Sequence, residues 1–408
     1  MTQRPISLPA LAAAGFAATA ISFGPARMGF GLFVPRFEEA FGLSSSTVGL
    51  VSSLGFAGFF LGLLLAQALL DRAGPMLPVL AGLSFATLGL GMVALAPGVA
   101  VLAAGVFLAA SSAGLSWSPF NDAVHRKLRD IDRPTALSEI STGTSVGIAV
   151  TGAVALAMVL SGFDWRISWG VFAGASLLAL VLNWTALRRV EKAPERNPRG
   201  SWRRMLTMSA APLFVVAFIY GVTSAVYISF GAERYASGGG VPALPEGTEP
   251  AFVYILYGLF GLTGLATGWL RKRIGLPMLV RALMLAGGAS LALAAAVPAH
   301  WAGLTSSAGL QGINVMMTSA VLALWSERLF PAFPSLGFTA ALLATAAGSV
   351  AGPAAAGFMS GALGSAPMFW VVAALPALAA ACLPDRVISD QPAPGGAHLR
   401  GQAATSPG

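Results

Sequence analysis

The stretch ISFGPAR at residues 21–27 places a permanently charged side chain, Arg27, near the end of a long apolar run that begins at Leu8. A second copy, ISFGAER at residues 228–234, places Arg234 at the end of another long apolar run. A guanidinium in a membrane helix is costly unless it faces a partner, water or a ligand. We therefore predict that the two runs are matching helices of two half-domains that surround a polar cavity.

The composition of the 408-residue chain is that of a membrane protein. Hydrophobic residues make up 56% of it and charged residues only 10%, and the mean hydropathy is +0.76. In soluble domains about a quarter of the residues are charged. A bilayer core needs about 20 apolar residues per helix, which predicts an all-α membrane protein with twelve transmembrane helices. The predicted spans are residues 8–34, 48–70, 76–96, 99–120, 137–160, 167–187, 208–230, 252–270, 277–297, 302–325, 336–358 and 366–383.

The basic residues indicate how these spans are oriented. Most of the 24 Lys and Arg residues fall at the termini or in the connections that follow even-numbered spans, and cytoplasmic loops retain such residues. Both termini are therefore predicted to be cytoplasmic, in a multi-pass protein of a bacterial inner membrane. The net charge of +8 follows from this orientation, so we expect contact with membrane lipid and not with nucleic acid.

Sequence features also argue against an enzyme. The chain has no Gly-rich phosphate-binding loop followed by Lys and Ser or Thr, so ATP is not expected to drive it. A single cysteine, Cys382, and the scattered His125, His300 and His398 offer no metal-ligand set. We predict no catalytic residue, no metal and no other cofactor.

An internal repeat predicts how the helices are grouped. Gly74 and Gly275 follow spans 2 and 8, and they lie 201 residues apart. The same separation relates Gly147 to Gly348, and Trp169 to Trp370. We predict two pseudo-symmetric six-helix bundles, at residues 1–187 and 208–383. The polar segment 188–207 is then a cytoplasmic linker, and residues 384–408 form a disordered cytoplasmic tail.

At and just after the end of span 2 stand Leu69, Asp71, Arg72 and Gly74. These residues resemble the signature G-x-L-x-D-R-x-G-R-K that the major facilitator superfamily has at this place. Gln67 stands at the first Gly, and Pro75 and Met76 stand at the basic pair. The resemblance covers residues 8–383. It implies that helices 1, 4, 7 and 10 line a central cavity, and that Asp71 and Arg72 act as a cytoplasmic gate.

The sequence supplies polar and aromatic residues on those four helices. The candidate substrate-binding residues are Phe23 and Arg27 in span 1, Trp117 and Asn121 in span 4, Tyr220 and Tyr227 in span 7, and Gln311 and Asn314 in span 10. Each has a structural alternative. Arg27 could anchor the helix at the outer interface, the tyrosines could be packing residues, and the two amides could hold helices together.

A gate and a coupling residue are the remaining site predictions. Arg234 is a candidate gate residue at the outer end of span 7, with exposure to solvent as the alternative. No carboxylate lies in the middle of a predicted span. Glu139, near the start of span 5, is the candidate for proton coupling, and its alternative role is an ion pair with Arg126, Arg129 or Arg133.

We predict from the sequence a secondary active transporter of a small organic solute, anionic or neutral, that works by alternating access. Protons are a candidate coupling ion, and we expect a monomer or a weak oligomer. Two alternatives remain: an efflux pump for apolar or drug-like compounds, and a membrane sensor or scaffold without flux.

Overall fold

The computed structural model describes residues 8–128, 131–188, 190, 210–330, 334–383 and 388. Within these residues twelve helices are long and apolar enough to cross a membrane, which confirms the predicted number. The helices are α1 Pro9–Phe41, α2 Ser45–Ala73, α3 Met76–Ala94, α4 Val99–Lys127, α5 Arg133–Ser161, α6 Trp165–Leu187, α7 Ala211–Ala236, α8 Glu249–Ile274, α9 Leu276–Ala296, α10 Trp301–Leu329, α11 Pro334–Leu363 and α12 Ser365–Cys382.

Helix α1 is longer than its apolar run, and this moves Arg27. The helix continues to Phe41 and ends where Gly42 takes a left-handed conformation with φ 63° and donates its N–H to the Glu38 carbonyl. Backbone hydrogen bonds continue a helix whether or not its side chains are apolar. Arg27 therefore lies 14 residues before the end of α1, about 21 Å along the axis. The expectation that Arg27 is near the helix end is wrong.

A π-helical turn, Ser22–Ala26, interrupts α1 directly before Arg27. Pro25 lies inside this turn; it has no N–H to donate, and its ring clashes with a regular α-helical backbone. The Oγ atoms of Ser22 and Ser116 in α4 are 2.9 Å apart. The turn is thus held against α4 in the middle of the span.

The twelve helices form two six-helix bundles with the same internal pairing. In the first bundle α2 and α3 pack on α4, α3 packs on α6, and α1 packs on α5. In the second, α8 and α9 pack on α10, α9 packs on α12, and α7 packs on α11. Between the bundles α2 packs on α11, α8 on α5, and α1 on α7. A pseudo-twofold axis would exchange the α2–α11 pair with the α8–α5 pair, and α1 with α7, as these contacts do.

The hydrophobic core is shared by the two bundles at one end and is largely divided between them at the other. We call the end that contains Ala73 and Met76 the basic end, and the end that contains Phe41 and Ser45 the opposite end. At the opposite end one hydrophobic cluster runs through both bundles and includes Phe33 of α1 and Phe230 of α7. Towards the basic end each bundle has a larger cluster of its own, and a small cluster with Phe59 of α2 and Ala346 of α11 joins the bundles near the middle of the span. The structure is therefore closed at the opposite end.

The repeat-related glycines are placed alike. Gly74 and Gly275 each follow a helix with a positive φ, 73° and 80°. A Cβ on Gly147 would meet the carbonyl of Ala20 in α1, and one on Gly348 would meet the carbonyl of Phe218 in α7.

Two other sequence correspondences do not mark equivalent environments. Arg234 is two residues from the end of α7, whereas Arg27 is deep within α1, so the two arginines differ in depth. Trp169 and Trp370 both lie near a helix start, but Trp169 is 1% exposed and Trp370 is 51% exposed. Contrary to the prediction from the sequence, the two ISFG copies therefore do not place Arg27 and Arg234 at the same depth in the membrane. The reason is that α1 extends well beyond its apolar residues.

Some predictions fall outside the described residues. These are the linker 188–207, apart from Arg188 and Val190, and the tail 384–408, apart from Ile388. The side chains of Asp71 and Asn121 lie outside them as well.

Candidate functional site

The guanidinium of Arg27 is surrounded by phenylalanine rings. Its Cζ lies 4.1 Å from the ring centroid of Phe59 and 5.5 Å from those of Phe23 and Phe56. Its Nε is buried and has no hydrogen-bond partner among the described residues. No carboxylate among these described residues forms an ion pair with the Arg27 guanidinium. Arg27 is thus a cation in the middle of the membrane span for which the described residues provide no counter-charge.

The energetics leave this cation only partly compensated. An arginine at the centre of a membrane helix costs about 2.5–3.5 kcal/mol on insertion scales. A desolvated cation–π contact returns about 2 kcal/mol or more, and an exposed one about 0.5–1 kcal/mol. The three rings can offset much of the cost, but they bring no negative charge. An anion entering beside Arg27 would supply it.

Tyrosines of α7 and α8 lie beside Arg27. Tyr220 and Tyr257 are close enough to interact electrostatically with the guanidinium. The ring of Tyr257 stacks against those of Tyr227 and Tyr254, with centroids 6.3 and 6.5 Å away. The Tyr220 hydroxyl donates to the Val315 carbonyl at 3.1 Å. Hydroxyls and aromatic faces therefore line the second-bundle side of the site.

Tyr254 connects the two bundles at this site. Its hydroxyl lies 3.0 Å from the Met28 carbonyl of α1 and 3.0 Å from the Ile228 carbonyl of α7. A Cβ added to Gly31 would meet the backbone of Ile228 and the hydroxyl of Tyr254. The absence of a side chain at residue 31 is what allows α1 and α7 to approach, so the opposite end is closed directly next to Arg27.

Helix α10 contributes the amides. Gln311 is fully buried, and neither atom of its amide has a partner among the described residues. Asn314 accepts a hydrogen bond of 3.1 Å from the Thr318 hydroxyl. Asn314, Thr318 and Tyr220 line a small cavity of about 10 Å³, room for about one water molecule.

Comparison with known proteins assigns the family. A family profile described as Major Facilitator Superfamily matches residues 12–332. The chain belongs to the major facilitator superfamily. It is a transporter and not an enzyme, in keeping with the superfamily and with the solved transporter structures that it resembles. No curated protein sequence matches the chain.

Solved superfamily transporters share the fold at low sequence identity. A point mutant of the peptide transporter POT is 16% identical with a TM-score of 0.78, covering 95% of this chain and 96% of that one. A point mutant of the nucleoside transporter NupG is 15% identical with a TM-score of 0.72, covering 91% and 98%. A bacterial homolog of the human lysosomal transporter Spinster, solved inward-facing and unoccupied, is 15% identical with a TM-score of 0.69, covering 92% and 95%.

Against this superfamily fold, the structure brings several of the predicted binding residues together. Arg27, Phe23 and Tyr220 are grouped as described, and Tyr227 joins them through its stacking on Tyr257. Tyr227 also accepts a hydrogen bond of 3.2 Å from the Ser307 hydroxyl.

Other predicted residues lie elsewhere. Trp117 packs, half-buried, on the first-bundle cluster at the basic end. Arg72 and Glu139 are exposed. Arg234 donates to the carbonyls of Ala294 at 3.0 Å and Ala295 at 2.9 Å, which ties α7 to α9 at the opposite end. The binding, gating and coupling roles of these residues stay predictions.

The sequence alone did not single out four aromatic residues of the site. They are Phe56 and Phe59 of α2, and Tyr254 and Tyr257 of α8. The resemblance assigns the cavity to helices 1, 4, 7 and 10, and an aromatic residue in an apolar span reads as ordinary packing. The one available signal was that α8 carries two of the chain's five tyrosines three residues apart.

Proposed function

We propose that this superfamily member is a secondary active transporter that carries a small organic anion past Arg27 by alternating access. The proposal depends on the position of Arg27, a cation 14 residues before the end of α1. Its guanidinium packs on three rings, and no described carboxylate pairs with it. An uncompensated charge at that depth is expected only where a ligand or a partner meets it.

The charge pattern supports an anion over a cation or a zwitterion. No carboxylate lies in the middle of a described span, so an ammonium group on a substrate would have no partner there. Two of the related structures are named for peptides and for 5-aminolevulinic acid, which both carry such a group. We expect this chain to prefer a carboxylate without an ammonium group.

The packing and the basic residues together indicate to which side of the membrane this conformation is open. The basic end, where the two clusters separate, carries Arg72, Arg133 and Arg188, and cytoplasmic loops retain such residues. We infer that the termini and the basic end face the cytoplasm of a bacterial inner membrane, so this conformation is open inward. The bundles 1–187 and 208–383 would then rock about the Arg27 site.

The aromatic lining also suits an efflux pump for apolar compounds. Phe23, Phe56 and Phe59 offer an apolar surface, but Arg27 would repel a cationic drug. Efflux therefore remains the second candidate for neutral or anionic compounds only. A sensor without flux is the third.

Transport in proteoliposomes tests the proposal. Vesicles loaded with unlabelled benzoate are diluted into labelled benzoate, and counterflow is measured for the wild type, Arg27→Ala and Arg36→Ala. Arg36 is a matched control because it lies on the same helix and pairs with Glu39 at 3.3 Å on the exposed end. We expect counterflow in the wild type and Arg36→Ala, and a loss of at least tenfold in Arg27→Ala. Equal counterflow in all three proteins would remove Arg27 from the mechanism. Binding of labelled benzoate without counterflow would favour a sensor.

A further inference from the structure

Two residues near the Arg27 site, Gln311 and Tyr257, have buried polar groups. Both amide atoms of Gln311 and the hydroxyl of Tyr257 lack a hydrogen-bond partner among the described residues. A buried polar group without a partner is costly, and native proteins keep few of them. Such groups need a reason in the function of the site.

Helix contacts place these groups on one wall of the site. A Cβ on Gly312, the neighbour of Gln311, would meet the Tyr257 carbonyl, so α8 and α10 touch at this level. Tyr257 lies near Arg27. The carbonyl of Val315, one helical turn beyond Gln311, accepts a hydrogen bond from the Tyr220 hydroxyl. Gln311 and Tyr257 therefore lie on two helices that pack together near the level of Arg27.

Asn314 provides a contrast within α10. Its side-chain oxygen accepts a hydrogen bond from Thr318 in the same helix, and its amide packs on Gly287 of α9. Asn314 thus has the contacts of an amide that fixes local structure. Gln311, one turn away and fully buried, makes no such hydrogen bond to the residues that the structure describes.

We propose that Gln311 and Tyr257 form a hydrogen-bonding subsite that selects a neutral polar group on the substrate. The proposal rests on the proposed function, since it assigns the carboxylate of the substrate to Arg27. The stacked rings of Tyr227, Tyr254 and Tyr257 and the phenylalanines around Arg27 suit a flat apolar body between the two polar ends. The substrate class is a planar monocarboxylate that bears an amide or hydroxyl group away from its carboxylate.

The selectivity follows from the cost of leaving the subsite unpaired. A substrate that lacks the neutral group leaves Gln311 and Tyr257 without partners in the bound state, whereas a substrate that has it satisfies them. Sites built to bond a polar group reject analogues that lack it. One or two neutral hydrogen bonds of about 1 kcal/mol each correspond to a preference of roughly tenfold.

A matched pair of probes tests this on the purified full-length protein. Benzoate and 4-carbamoylbenzoate share the ring and the carboxylate and differ by one neutral amide. Their affinities are measured by titration calorimetry for the wild type, Gln311→Leu and Tyr257→Phe. We expect the wild type to prefer 4-carbamoylbenzoate roughly tenfold, and both variants to reduce that preference to about twofold or less while benzoate affinity stays within about threefold. An unchanged preference in Gln311→Leu, no preference in the wild type, or no binding of either probe would overturn the proposal.

A stability measurement separates selection from a structural role. Gln311→Leu removes an unpaired buried amide, so the melting temperature of the ligand-free protein should stay the same or rise. Asn314→Leu, the matched control, leaves Thr318 unpaired and should lower it. A fall in Gln311→Leu as large as that in Asn314→Leu would identify Gln311 as structural and end the proposal.

Arg27→Gln makes the two proposals distinguishable. If Arg27 holds the carboxylate, this variant loses affinity for both probes by at least tenfold. If Arg27→Gln binds both probes as the wild type does while Gln311→Leu still loses the preference, the subsite stands and the role of Arg27 falls.

Discussion

The guanidinium of Arg27 in α1 lies over the ring of Phe59 in α2, with 4.1 Å between Cζ and the ring centroid. The two residues are 32 positions apart in the chain, and the hairpin of α1 and α2 brings them together. This contact lowers the cost of a cation in the middle of a membrane span, because the face of the ring carries partial negative charge. Arg27 nevertheless remains partly exposed.

Phe59→Leu should weaken the hold on Arg27. The substitution keeps an apolar side chain but removes the ring, so we expect a loss of stability of about 1–2 kcal/mol. A double-mutant cycle with Arg27→Gln should give a coupling energy of about 0.5–2 kcal/mol in thermal or denaturant unfolding. Phe358→Leu is the control, because that ring is 59% exposed. Strict additivity of Phe59→Leu and Arg27→Gln would contradict the contact.

Gly31→Ala should hinder closure of the opposite end. A Cβ at residue 31 would lie 2.7 Å from the Tyr254 hydroxyl and 2.8 Å from the carbonyl carbon of Ile228, which is closer than real Cβ contacts come. We expect slower transport and a population shifted towards a form open at that end. Spin labels at Glu39→Cys and Ser237→Cys, with Cys382→Ser, should report a longer distance between α1 and α7.

Gly174→Ala is the matched control for this experiment. A Cβ at residue 174 meets nothing within 4 Å, so the same change of helix propensity carries no steric cost there. Equal distance distributions in Gly31→Ala and the parent protein would mean that α1 and α7 do not need this close contact.

Thiol labelling in intact cells should establish the orientation of the chain. In a Cys382→Ser background, a single cysteine at Ser237, exposed at the opposite end, should react with a membrane-impermeant maleimide. A single cysteine at Arg188, exposed at the basic end, should react only after the cells are opened. The reverse pattern would place the termini outside, and the structure would then be open outward.

Glu139→Gln should separate exchange from accumulation if Glu139 couples transport to protons. Glu139 is exposed, near the basic end of α5, where water can deliver a proton. The amide cannot take one up, so we expect counterflow to persist and uptake driven by a pH gradient to stop. Glu327→Gln, near the basic end of α10, is the control. Gradient-driven uptake at the wild-type rate would exclude Glu139 as the coupling residue.

The sequence by itself determined the number of spans and the presence of a membrane-embedded arginine. Hydropathy is a property of consecutive residues, because a span needs a continuous apolar length to cross the bilayer. The equivalence of Gly74 and Gly275 could also be predicted from the sequence. Both positions have a backbone conformation that favours glycine, so the residue type itself marks them. These features depend on local chemistry, and the structure agrees with them.

Only the tertiary structure decided how deep Arg27 lies and what surrounds it. The end of α1 at Phe41 depends on backbone hydrogen bonds and on Gly42, not on apolar length. The rings of Phe56 and Phe59 and the tyrosines of α8 reach the site through packing between helices that are distant in sequence. In an apolar span one aromatic residue looks like another, and lateral packing selects the few that face a charge.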